Sequence, residues 1–105
     1  LEKNPDNARR AIAWCSFLSG KYEEALKYYQ LLIQQPAPKA HDWMNTGHVY
    51  FVQHQLQEAL FHYQKAHAME TNHTAFIEKF NKDKSVLLNL GLNKEDILIM
   101  LDLLL

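Results

Sequence analysis

The sequence predicts an all-α chain of antiparallel helix hairpins, and three observations carry that expectation. Apolar residues recur at spacings of three and four, the period of amphipathic helices, and strand signals are almost missing. The 105 residues hold only 3 Gly and 3 Pro, set where helices are expected to start and stop. Over about two-thirds of its length the chain also repeats itself at an interval of 34 residues.

The elements follow in order. Asn4-Pro5 reads as a helix start, because a proline in the first turn gives up an N–H that has no partner there. Gly20 suits the left-handed residue that ends a helix. The next run opens with Glu23 and Glu24, whose charge complements the helix dipole, and closes at Pro36 and Pro38. Two helices of about 13–15 residues, joined by a tight turn, make a helical hairpin.

The same pattern returns without a gap. Phe17 aligns with Phe51, Glu24 with Glu58, Ala25 with Ala59, Leu26 with Leu60, Tyr29 with Tyr63 and Gln30 with Gln64. The second copy, 40–73, carries Trp43, Gly47, Tyr50, Ala59, Tyr63 and Ala66. Gly47 and Ala59 are small where two helices cross, the three aromatics fill the space around that crossing, and Ala66 lets the next helix approach. On these residues and this period the chain resembles the tetratricopeptide repeat family. The resemblance implies a right-handed superhelix of hairpins that binds proteins. The first copy, 6–39, is degenerate, with Arg9, Ala13, Ser16 and Leu32 in place of Trp43, Gly47, Tyr50 and Ala66. His54 replaces Gly20, and histidine tolerates left-handed backbone better than most residues.

Residues 74–105 do not continue the repeat, since Asn81 and Asn93 stand where Gly47 and Ala59 would recur. Instead Thr74 is expected to cap one long helix carrying Phe76, Ile77, Phe80, Leu87 and Leu88, ended by Gly91 with Leu92 folded back over it. Asn93, Glu95 and Asp96 then start a final helix. The pair reads as a C-terminal cap on a single domain spanning 1–105. The opening Leu1-Glu2-Lys3 has the character of mid-protein sequence, so a longer array is expected.

Composition narrows the function. A formal charge of −1 with no basic cluster speaks against nucleic acid. The lone Cys15 rules out an internal disulfide and any cysteine-based zinc knuckle, and suits a reducing compartment such as the cytoplasm. Matching Val49 at the repeat interval, it is expected to be a small buried hydrophobe rather than a reactive thiol. No run reaches the roughly 18–20 apolar residues that span a bilayer. Six histidines invite a metal, but His41 and His48 are two turns apart, His62 and His67 diverge, and no His-Glu-x-x-His element occurs. No phosphate loop or nucleophile elbow is present. Neither a cofactor, a metal site nor catalysis is expected.

The resemblance assigns a concave groove to the first helix of each hairpin. That places Asn7, Arg10, Trp14 and Phe17 on one stripe and His41, Met44, His48 and Phe51 on the next, with Asn45 beside them. Trp14 is the expected anchor, because large aromatics dominate interface energies, although it would serve equally as packing against a further repeat. A chaperone-tail carboxylate clamp is not expected, because Trp14 replaces one of its asparagines and Glu78 is acidic where a base belongs. The groove is therefore read as binding a protein or peptide through apolar and aromatic contacts, with His41 and His48 open to tuning by pH.

A second surface is expected at the tail. Ile97 to Leu105 is apolar nearly all round, whereas a cap normally turns a polar face to water. Ile99, Leu103, Leu104 and Leu105 are expected at an interface, either in a homo-oligomer or against another part of a longer protein.

Overall fold

A computed structural model describes residues 5–105, and among them only helices and turns occur. The helices are α1 (Pro5–Leu18), α2 (Tyr22–Ile33), α3 (Ala40–Val52), α4 (Leu56–Ala68), α5 (His73–Lys82), α6 (Lys84–Asn89) and α7 (Lys94–Leu103). The closest packing is α3 on α4 and α1 on α2, so the chain opens with two helical hairpins, and α2 lies against α3 to join them.

Local chemistry sets the ends of these helices. Pro5 stands in the first turn of α1, while Asn4 lies outside the described residues. After α1, Gly20 adopts φ 77° and hydrogen bonds run from Gly20 N to Phe17 O and from Lys21 N to Ser16 O. This double closure satisfies carbonyls that the helix leaves unpaired. It recurs after α3, where His54 adopts φ 61° with bonds from His54 N to Phe51 O and from Gln55 N to Tyr50 O. Gly91, at φ 112°, repeats it after α6, and Leu92 is buried over the turn.

The two hairpins keep the 34-residue interval in three dimensions. Their left-handed turn residues are Gly20 and His54, and Phe17 and Phe51, Ala25 and Ala59, and Tyr29 and Tyr63 are all fully buried. At Gly47 a Cβ would stand 2.7 Å from two carbons of the Tyr63 ring, so only glycine lets α3 approach α4 there.

Residues 73–105 depart from the expectation in two ways. The cap of α5 is Asn72 rather than Thr74, its side chain accepting from Ala75 N at 2.8 Å. The long helix is broken at Asp83, whose backbone turns to φ −100° and ψ 0° while its carboxylate reaches across to α3. α7 begins as expected, with Asn93 and Asp96 each accepting the other's backbone N–H. Phe76, Phe80, Leu87, Ile97 and Met100 carry the core into this third part. Cys15 corrects a further expectation. It is exposed, because the face of α1 that carries it has nothing packed on it, whereas Val49 is fully buried.

Candidate functional site: the cleft between α1, α3 and α5

The first turns of α3 run between α1 and α5, and the three helices enclose an open cleft of about 360 Å³. Trp14 lines it from α1, and Ala40, His41, Met44 and Asn45 from α3. Lys79, Lys82 and Asp83 come from α5 and its end, and Glu70 from the preceding turn. Helical spacing explains the grouping, since His41, Met44 and Asn45 lie three and four residues apart on one stripe. The Trp14 ring leans on buried Phe17 at 5.4 Å between centroids, which holds its orientation.

The charges around the cleft largely answer one another. Lys79 Nζ donates to both carboxylate oxygens of Glu70, at 2.8 and 3.0 Å. Asp83 Oδ2 lies 3.0 Å from His48 Nε2, and His48 Nδ1 lies 2.6 Å from the Tyr63 hydroxyl. A carboxylate only accepts, so Nε2 carries the proton and Nδ1 accepts from Tyr63. Burial lowers the His41 pKa, and the cations Arg10, Lys39 and Lys79 add to the fall against the pull of Asp42. His41 is therefore neutral at pH 7. What remains for a ligand is an indole, a thioether, an amide and the exposed ammonium of Lys82.

Among the residues expected in the groove, Trp14, His41, Met44 and Asn45 come together. Phe17, His48 and Phe51 do not, because all three are fully buried. Phe17 and His48 stack on each other, Phe51 packs on Tyr63, and His48 also meets Phe80, so the C-terminal halves of both stripes belong to the core. Tuning of the groove by direct exposure of His48 falls with them. Asn7 and Arg10 lie outside the cleft, and Arg10 is engaged by Asp42 and Asn7. Glu70, Lys79 and Asp83 were not foreseen as walls, and the signal for them was the Asn72 cap, which shifts the register of α5.

A second, smaller cleft of about 50 Å³ lies beside α7, lined by Phe51, Leu56, Asp96, Ile99, Met100 and Leu103. Ile99, Leu103 and Leu105 are exposed as expected, and Leu98 joins them. Leu104 does not, being 7% exposed after the chain turns at the end of α7. No helix is long and apolar enough to cross a membrane, and no group of three potential metal ligands converges among the described residues.

In comparisons with known proteins, the chain matches no family model, no curated protein and no solved structure.

Proposed function

We propose that the chain is a tetratricopeptide-type module, its hairpins set in a right-handed superhelix, that binds a peptide segment of a partner protein in the α1–α3–α5 cleft. The observation that carries this reading is the convergence of Trp14, Met44 and Asn45, from two hairpins, on one open cleft. An apolar side chain of the partner seats between the indole and the thioether. The Asn45 amide offers a donor and an acceptor to the partner's backbone. Because Lys79 is neutralised by Glu70, the ligand needs no dense charge, and Lys82 favours at most a modestly acidic one.

The test is selection from a random peptide library on the immobilised chain, repeated with Trp14→Ala and Met44→Ala. The reading requires enriched peptides whose affinity falls about 30-fold or more with Trp14→Ala, the loss typical of an interface anchor. It also requires an unchanged melting temperature. Binding indifferent to both substitutions, or lowered melting without any change in binding, would sink it.

A scaffold role through α7 is the second reading, favoured by the exposure of Leu98, Ile99, Leu103 and Leu105 beside the small apolar cleft.

A further inference from the structure

Equivalent faces of the two hairpins differ in what covers them. On α3, Thr46, Val49 and Val52 are 0%, 0% and 7% exposed. The first hairpin lies against α3 here, with Gln30 Nε2 of α2 donating to the Tyr50 hydroxyl at 3.1 Å. Thirty-four residues earlier, Ile12, Cys15 and Leu18 hold the same positions on α1. Ile12 and Leu18 are 42% and 46% exposed, and Cys15 is exposed too. Ala8 and Ala11 extend the stripe, and no charged side chain interrupts it. The outer helix of a stack of hairpins needs a polar face toward water, and α1 does not present one.

The occupant can be read from what covers α3. α3 receives the second helix of a hairpin, and α1 repeats its receiving face. A second intact copy has no such helix to offer. Its α2 is already covered by α3, and its α4 by α5. We propose that the Ile12–Cys15–Leu18 face docks the second helix of a further hairpin built on the same 34-residue pattern. This is independent of what the cleft binds.

Cys15 is the only thiol in the chain and reports directly on the face. The experiment keeps the full chain and inserts a second copy of residues 6–39 ahead of Asp6, with Cys15→Ser in the added copy. Reaction of the remaining thiol with a disulfide reagent is then timed beside that of the unextended chain. Docking predicts a rate at least about tenfold slower, with a gain in helical signal. Ile12→Glu with Leu18→Glu in the original copy restores the fast rate, while leaving melting of the unextended chain unchanged. A thiol that reacts equally fast in both proteins overturns the proposal, whether or not the added hairpin folds. So does protection that survives the two glutamates. A slow thiol in the unextended chain together with dimeric scattering would assign the face to a second copy instead.

Discussion

Arg10 of α1 forks onto Asp42 of α3, its Nε 2.7 Å from one carboxylate oxygen and its Nη2 2.8 Å from the other. Asp42 is fully buried and also accepts the Lys39 backbone N–H at 3.0 Å, so one carboxylate both starts α3 and ties the hairpins together. Burial pushes its pKa up, but the bonds from Arg10 and Lys39 and the charge of Arg10 outweigh that and hold it below the ordinary value. Arg10→Ala leaves a buried carboxylate with a single donor, a loss of about 3–5 kcal/mol. Arg10→Lys keeps the charge but not the fork, and falls between. A group with a lowered folded pKa stabilises fully above its unfolded value, about pH 4, and loses that contribution as pH falls through the folded one. Urea denaturation of wild type and Arg10→Ala at neutral and acid pH checks both points, and the gap between the two proteins should close in acid.

Tyr29 and Tyr63 are equivalent in the repeat and opposite in their bonding. The Tyr63 hydroxyl donates to His48, whereas the buried Tyr29 hydroxyl has no hydrogen-bond partner among the described residues. An unmade bond costs more than a missing group. Tyr29→Phe is therefore expected to be neutral or to stabilise by about 0.5–1 kcal/mol, while Tyr63→Phe destabilises by about 1–3 kcal/mol through the acceptor left on His48. Thermal melts of the two variants in the same buffer decide it, and equal losses would contradict the hydrogen-bond assignment.

The same asymmetry explains what the sequence made legible. Hairpin boundaries could be read because each depends on local chemistry, such as Gly20 and His54 at left-handed turns and the Asn93–Asp96 box. Half of the cleft could be read because His41, Met44 and Asn45 share a helical stripe. The stripe alone does not show where other helices cover it. His48 and Phe51 continue the line of Met44, but α4 and α5 close over them through Tyr63 and Phe80. The break at Asp83 carried no glycine or proline to announce it, because it is tied to a tertiary bond with His48.

His62 supplies a pH dependence on the alkaline side of the Asp42 effect. It is 7% exposed and enclosed by the rings of Trp43, Tyr50 and Phe61. Its Nδ1–H donates to the Glu58 carbonyl at 2.7 Å. Burial lowers its pKa, and the Glu58 carbonyl and carboxylate only partly oppose that. The unfolded chain therefore binds this proton more readily, and stability present above about pH 6.5 is lost as pH falls. Wild type is expected to lose more stability than His62→Gln between pH 7.5 and about pH 5.5. Melting curves at the two pH values measure this, and parallel losses would exclude His62 as the cause.

α7 separates stability from association, because its two faces have different surroundings. Ile97 and Met100 are 0% and 2% exposed, so Ile97→Ala or Met100→Ala should cost about 2–4 kcal/mol. Ile99 and Leu103 are 60% and 56% exposed, and glutamate at both should leave the melt within about 0.5 kcal/mol of wild type. If the exposed face pairs two copies, the molar mass from light scattering rises with concentration for the wild type but not for the Ile99→Glu/Leu103→Glu protein. A wild type that stays monomeric throughout removes self-pairing and leaves the face to a different partner. Destabilisation by the glutamates equal to that from Met100→Ala would instead mean that this face is packed within the domain.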